Sequence, residues 1–295
     1  MNPTHLGRVV FWMTGALLSF SASAVAVREL APRFNIFEIL ACRTGFGFVV
    51  MAAITLSRPS LRAQLNSQHL VLHGLRNTIH FVGQYTWAWA ITLLPLATVF
   101  ALEFTMPMWV ALLAIPLLGE RMTPTRAGSI VLGFIGVLVI VRPGLASFKP
   151  AAMLVLVAAL AFALSLIATK SLTNKVSTFV IIFWMNAMQL PIALAGSDPL
   201  FVLRFDTHTA MAAATFGIVG LTSHYCLTNA FRWGDATIVV PIDFMRIPLI
   251  AFVGWMVYGE PLDVLVFAGA GLIICGVLWN LHAESRRVRA MPLAD

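Results

Sequence analysis

Residues 96–123 read LATVFALEFTMPMWVALLAIPLLGERMT, and residues 234–262 read GDATIVVPIDFMRIPLIAFVGWMVYGEPL. Each stretch is a long apolar run with one carboxylate about two helical turns in (Glu103, Asp243). Each is broken by prolines (Pro107 and Pro116; Pro241 and Pro248) and ends on Gly-Glu (Gly119-Glu120; Gly259-Glu260). A helix that crosses the hydrocarbon core needs about 20 mostly apolar residues, so both stretches read as membrane spans. The two Gly-Glu ends stand 140 positions apart. Glu103-Phe104 and Asp243-Phe244 keep that offset, as do Gly136-Val137-Leu138 and Gly276-Val277-Leu278, and Tyr85 and Tyr225. Ala97-Thr98 matches Ala236-Thr237 with a slip of one, and Ser23 and Arg28-Glu29-Leu30 match Ser165 and Lys170-Ser171-Leu172 with a slip of two. Single matches between apolar residues carry little weight. A shared register that includes a carboxylate pair predicts an internal repeat.

Outward from these stretches the whole chain follows the same grammar. Of 295 residues, 60% are hydrophobic and 11% charged, against about 25% charged in soluble domains. Such a chain cannot cover a soluble fold with polar surface, and disorder is excluded for the same reason. The net charge of +7 does not mark a nucleic-acid partner, because the basic residues fall in short loops between apolar runs. Ten runs are read, at about 9–27, 36–56, 72–93, 96–118, 125–141, 150–169, 176–195, 210–232, 236–258 and 263–282. Leu94-Pro95 and Gly234-Asp235 are among the shortest connections. Backbone polar groups cannot be left open in lipid, so the runs are helices. Ser21–Ala26 imitates a signal-cleavage site, but the run is long and has a partner in the second half, so it is expected to be retained.

The expected architecture is all-α integral membrane: ten helices in two five-helix repeats around a central cavity. The expected units are residues 1–146 and 147–284, with a tail at 285–295. Five spans per unit is an odd number, so the second repeat enters the membrane inverted. With the N-terminus inside, Arg8, Arg58, Arg62, Arg76, Arg121, Arg126, Lys170, Lys175, Arg232, Arg286, Arg287 and Arg289 face the cytoplasm. The outer side then carries Arg28, Arg33, Arg142, Lys149 and Arg204. This asymmetry puts both termini in the cytoplasm of an inner-membrane protein.

Inverted repeats recur in secondary transporters, whose cargo sits near the midplane on discontinuous helices. The fourth and ninth runs are those helices here, with Pro107, Pro241 and Pro248 as hinges. Glu103, Asp243 and Arg246 lie at membrane depth, where ionisable groups are costly and face a cavity or a partner. Asp243 and Arg246 are three apart and share a helical face. Two readings stand: Arg246 meets a cargo carboxylate while Asp243 meets an ammonium, or the two form a structural pair. Glu103 is a candidate for an ammonium or a coupling proton. On the third run His80, Gln84 and Trp87 share a stripe with Arg76, which reads as a snorkelling anchor. On the eighth, His224 is the counterpart of Gln84, beside Tyr225, and Thr228 lies one turn on. His80 and His224 are candidates for proton coupling, since imidazole titrates near neutrality. Trp87 and Trp109 are candidate apolar walls, and Ser165 is a candidate hydroxyl donor on the small-residue face of the sixth run. Arg43 lies deep in the second run and reads as the partner of Glu38. Glycines 128, 133, 136, 269, 271 and 276 read as scaffold or as a contact surface between copies. The sequence leaves the oligomeric state open.

The ten-run, two-repeat pattern with Gly-Glu at the ends of the fourth and ninth runs resembles the EamA-type branch of the drug/metabolite transporter superfamily over nearly the whole chain. The resemblance implies a secondary transporter of small metabolites and is nearest to amino-acid exporters, including aromatic ones. The direction, export, rests on it alone. Other functions find less support. There is no GxxxxGK[ST] for an ATP-driven engine and no HExxH. The carboxylates are spread over different helices rather than gathered for catalysis. No cofactor or metal site is expected, because Cys42, Cys226 and Cys275 have no ligand spacing. A passive channel or facilitator stays open as the alternative, as does a membrane enzyme on weaker grounds.

Overall fold

The computed structural model describes residues 3–65, 69–119, 122–143, 149–173, 175–233 and 236–290. Glu120, Arg121, the Gly234-Asp235 connection, the junction at 144–148 and residues 291–295 lie outside the described residues, as do the side chains of Arg287 and Arg289.

Among the described residues the chain is helical throughout, without strands. In order the helices are α1 (Pro3–Leu30), α2 (Ile36–Ser57), α3 (Pro59–Arg62), α4 (Leu70–Leu93), α5 (Leu96–Glu103), α6 (Met106–Leu118), α7 (Pro124–Val141), α8 (Ala152–Thr173), α9 (Thr178–Ala195), α10 (Thr207–Trp233), α11 (Ala236–Asp243), α12 (Arg246–Tyr258) and α13 (Val264–Ala290). A 3-10 turn, Phe201–Arg204, precedes α10. The fourth and ninth runs are each two helices, α5–α6 and α11–α12. Both breaks fall just past the carboxylate.

Nine segments among the described residues are long and apolar enough to cross a membrane. The helix of the third run, α4, is 24 residues long but is not one of them. His73, Arg76, Asn77, His80 and Gln84 form one buried stripe along it, and their polarity lowers its mean hydropathy.

Helix ends follow local chemistry. Asn35 caps α2 reciprocally with Glu38: the Glu38 N–H donates to Asn35 Oδ1 at 3.0 Å, and the Asn35 N–H donates to Glu38 Oε2 at 2.8 Å. Asp206 and Thr209 do the same for α10. Gly119 and Gly259 end α6 and α12 with φ of 69° and 63°. In this left-handed region only glycine is free of a Cβ clash, which explains the glycine of each Gly-Glu pair.

The packing exchanges the two halves. α1 packs on α10 while α4 packs on α8, α2 packs on α9, and α7 packs on α13. Each of these four contacts maps onto itself or onto another of the four when the halves are swapped. The glycines of α7 and α13 serve this contact: a Cβ at Gly136 would lie 2.6 Å from the Gly269 carbonyl, and one at Gly276 would lie 2.8 Å from the Ser129 carbonyl. They let two backbones meet inside the chain.

The broken helices depart from the exchange. α5 packs on α12, whereas α6 packs on α8 and α7, and α11 packs on α1 and α13. The bundle is therefore closed at the end where α5 meets α12 and looser at the other. At the looser end a cleft of about 490 Å³ opens between α6, α7, α8 and α13, with Pro107, Arg126, Thr169, Lys170 and Asn280 on its walls.

Candidate functional site

The two helix breaks bring the membrane-depth charges together. Pro107 sits in the first turn of α6 and has no N–H to return to the Glu103 carbonyl. Pro248 likewise has no N–H to return to the Phe244 carbonyl, which accepts the Ile247 N–H at 3.1 Å instead. Tight turns replace the helical bonds: Thr105 N–H donates to the Leu102 carbonyl at 3.1 Å, and Met245 N–H donates to the Ile242 carbonyl at 3.0 Å. Pro241 lies inside α11.

Arg246 Nη2 donates to both carboxylate oxygens of Asp243, at 2.5 and 2.7 Å. Its Nη1 stands 3.5 Å from Glu103 Oε1, and Trp87 Nε1 donates to Glu103 Oε2 at 2.8 Å. The Arg246 side chain is 5% exposed, while those of Glu103 and Asp243 are 20% and 17% exposed. The cation is thus enclosed and both carboxylates reach open space. The guanidinium also lies over the Phe20 ring at 4.0 Å and near Phe104 at 5.3 Å. Such stacking is favourable for a weakly hydrated cation.

Two carboxylates against one guanidinium leave a formal charge of −1. Both carboxylates end a helix and the guanidinium begins one, an arrangement the helix dipoles oppose. Their mutual pairing offsets that opposition.

The α4 stripe faces the second half of the chain. Gln189 Nε2 lies 3.0 Å from His80 Nδ1 and donates to the Asn77 carbonyl at 3.3 Å. Asn77 Nδ2 donates to the Trp184 carbonyl at 3.1 Å. Arg76 corrects the snorkelling expectation. It is 8% exposed, with Nε donating to Thr169 Oγ1 at 3.0 Å and Nη1 donating to Asn77 Oδ1 at 2.7 Å. The polar partners of α8 and α4 hold it in the bundle. Gln84 is buried, with its Oε1 unpaired. Ser165 is buried on α8, one turn before Thr169, whose hydroxyl donates to its carbonyl.

His224 lies deep in the bundle yet is accessible, and meets the Phe20 ring edge-on at 6.0 Å. Phe20 therefore joins His224 to Arg246. Three expected residues stand apart from this group. Tyr225 is 63% exposed and meets Trp12 edge-on, because it sits about 100° around α10 from His224. Thr228 is also exposed. Trp109 packs edge-on to Phe134 of α7, with its Nε1 buried and unpaired.

The expected Arg43–Glu38 pair is not formed. Five residues along a helix rotate by about 140°, and Glu38 is occupied by the α2 cap, the Asp198 N–H at 3.2 Å and Arg204. Arg43 instead lies across Gly220 of α10, where a Cβ would come 2.8 Å from its Nε. It points toward Phe216, 6.0 Å from the ring centroid. Its depth in the run was the signal that it matters. Its neighbours were not legible, because Gly220 is distant in sequence.

The closed end is laced by side chains. Glu260 pairs with Arg28 and accepts the Leu96 N–H at 2.8 Å, so it caps α5. Tyr258 donates to Glu29 at 2.7 Å, and Arg142 donates to Asp263 at 2.6 Å. Arg28 also donates to the Ile91 and Leu94 carbonyls. The carboxylate of the second Gly-Glu pair thus ties the two halves together at this end.

This arrangement has relatives. The model of the EamA-like transporter family matches residues 7–142 and again residues 149–281. The riboflavin transporter of Rhizobium johnstonii is 28% identical over 292 residues, 98% of this chain and 96% of that one. The S-adenosylmethionine uptake transporter of Rickettsia felis is 25% identical over 275 residues, 93% and 92% of the two chains. The pseudopaline exporter of Pseudomonas aeruginosa is 26% identical over 266 residues, 88% and 90%. A solved crystal structure at 19% identity covers 96% of this chain and 99% of its own, with a TM-score of 0.60, and shares the fold.

Proposed function

We propose that this chain, which belongs to the EamA-like transporter family, carries amino acids, neutral and aromatic ones among them, out of the cell by alternating access. It is a multi-pass membrane protein whose relatives are transporters of small molecules. The inverted ten-helix arrangement, the units 1–146 and 147–284 and the cytoplasmic placement of both termini are part of the same proposal. The repeated family match and the exchanged helix contacts support it. In that orientation the laced end is the outer gate, and the looser end with the α6–α8 cleft faces the cytoplasm.

The observation that carries the proposal is the Glu103–Asp243–Arg246 cluster. It stands where two proline-opened helices cross, it carries a formal negative charge, and its two carboxylates reach open space. An ammonium group fits that charge. Arg246 is already engaged by both carboxylates, so it holds them rather than meeting cargo. Trp87 and Phe20 supply aromatic walls beside the cluster, as ligand pockets generally use. Export follows the family resemblance, although the relatives include both uptake transporters and an exporter. Among the described residues the cluster sets no nucleophile beside a base, which favours transport over catalysis.

Purified protein in liposomes tests the proposal. Labelled L-phenylalanine and neutral amino acids should cross faster than in protein-free vesicles, with riboflavin and S-adenosylmethionine as parallel arms. If no amino acid crosses faster, the amino-acid cargo is wrong. Collapsing the pH gradient tests coupling: unchanged flux removes His80, His224 and Glu103 from proton transfer.

A further inference from the structure

The cluster described above accounts for Arg246 but not for the other two membrane-depth arginines, Arg43 and Arg76. An arginine at membrane depth ordinarily pairs with a carboxylate or turns into a water-filled cavity. Neither residue has an acidic partner among the described residues. Glu103 and Asp243 are bound to Arg246, and Glu38 is bound to Arg204.

Arg76 has part of its donor set satisfied by Thr169 and Asn77. Arg43 makes no hydrogen bond among the described residues; its stem lies across the Gly220 backbone and its head points toward Phe216. Yet the two guanidinium groups lie within electrostatic reach of each other, and both lie within reach of His80 and His224. Two like charges on the packed helices α2 and α4, with no carboxylate partner among the described residues, call for a counter-charge.

The geometry points to an anion subsite formed by Arg43 and Arg76, with His224 between them and Phe20, that receives the carboxylate of the transported molecule. Three features support this. Arg43 has no hydrogen-bond partner among the described residues, and a planar guanidinium offers two parallel N–H groups to a carboxylate. Gly220 lets the Arg43 stem lie flat, because a side chain there would meet its Nε. His224 is accessible and meets Phe20 edge-on, and Arg246 lies over the same ring.

A molecule lying along Phe20 would thus meet negative charge at Glu103 and Asp243 and positive charge at Arg43 and Arg76. That polarity fits a small zwitterion, with ammonium and carboxylate ends. The inference rests on the transport reading for the place of the cargo. It adds a specificity, for the carboxylate, that the reading does not require.

Binding tests it separately from transport. Detergent-purified full-length chain is titrated with matched acids and amides, L-phenylalanine against L-phenylalaninamide and phenylacetate against phenylacetamide, and the rise in Tm is followed. The acids should stabilise at concentrations about tenfold lower than their amides, as expected for charge-assisted hydrogen bonds. Arg43→Gln should erase that preference, and Arg43→Lys should restore part of it, which loss of packing alone would not do. Arg76→Gln should act in the same direction; if it fails to fold, the Arg43 series still decides, because Arg43 has no hydrogen bond among the described residues whose loss would unfold the chain. The inference is overturned if acids and amides stabilise equally, or if no acid stabilises the wild-type chain. Acids that stabilise while labelled amino acids fail to cross would remove the amino-acid cargo and keep the subsite. Amides that cross as fast as acids would remove the subsite and keep the transporter.

Discussion

Glu260 pairs with Arg28 across the two halves of the chain, and its second carboxylate oxygen accepts the Leu96 N–H at 2.8 Å. One side chain therefore ties α1 to the end of α12 and caps α5. Both partners are mostly buried, with side-chain exposures of 17% and 13%.

Glu260→Gln keeps the shape and a hydrogen bond to Leu96 but leaves Arg28 without its charge partner. The cost should be about 2–3 kcal/mol, less than the ~3–5 of a fully buried pair, and it falls on the closed end alone. The state open at that end should gain population. A membrane-impermeant thiol reagent applied from that side should label Ser23→Cys faster in the variant, on a background without Cys42, Cys226 and Cys275. Unchanged labelling would show that the lacing does not gate access.

Trp87 holds Glu103 through a hydrogen bond of 2.8 Å. Trp87→Phe keeps an aromatic wall and removes the donor. A hydrogen bond to a charged group contributes about 1.5–3 kcal/mol, so Glu103 should lose its fixed position while the fold persists. Transport should fall roughly 10-fold or more if that energy is expressed at the site, with Tm lowered only slightly. A large fall in Tm with transport intact would make Trp87 a packing residue.

Most of the fold was legible in the sequence, because composition and proline placement act locally. The apolar runs, of which nine among the described residues are helices long and apolar enough to cross a membrane, the proline interruption of the fourth and ninth runs and the Asp243–Arg246 pair all follow from spacing along the chain. What could not be read is what depends on which helices meet. Arg43 lies five residues from Glu38, so proximity in sequence suggested a pair, but the capping box and Arg204 had already claimed that carboxylate. Arg76 lies near a helix end, where arginines usually snorkel, but Thr169 on α8 draws it inward. Tyr225 follows its repeat counterpart in register yet faces outward beside Trp12, since a helix repeats every 3.6 residues and neighbours in sequence do not share a face.

At the closed end Asp206 caps α10 through the Thr209 N–H at 2.8 Å. The backbone and side-chain hydrogen bonds from Thr209, with Arg33 nearby, hold its carboxyl below the ordinary carboxylate range. A carboxylate with a lowered folded-state value adds stability above its ordinary value of 3.8, and that stability is lost as the pH falls through the folded value. Asp206→Ala should therefore lower Tm at neutral pH, and the gap to wild type should close as the pH drops below 3.8. A gap that persists in acid would assign the effect to something other than the charged cap.

Arg246 gives the most direct test of the central cluster. Arg246→Met removes the cation that faces Asp243 at 2.5 and 2.7 Å and Glu103 at 3.5 Å, leaving two carboxylates against each other. Removing one partner of a buried pair costs about 3–5 kcal/mol. Asp243→Asn alone is milder, because Arg246 keeps Glu103. In the double variant only Glu103 stays charged, still held by Trp87, so the mutual repulsion disappears. The double variant should be more stable than the sum of the single costs predicts, by roughly 1–3 kcal/mol of coupling, read from Tm in detergent. Transport should be lost in both variants that carry Arg246→Met, even where stability has returned. Recovery of stability without recovery of transport separates what the pair does for the fold from what it does for the cargo, and full transport by Arg246→Met would take the residue out of the site.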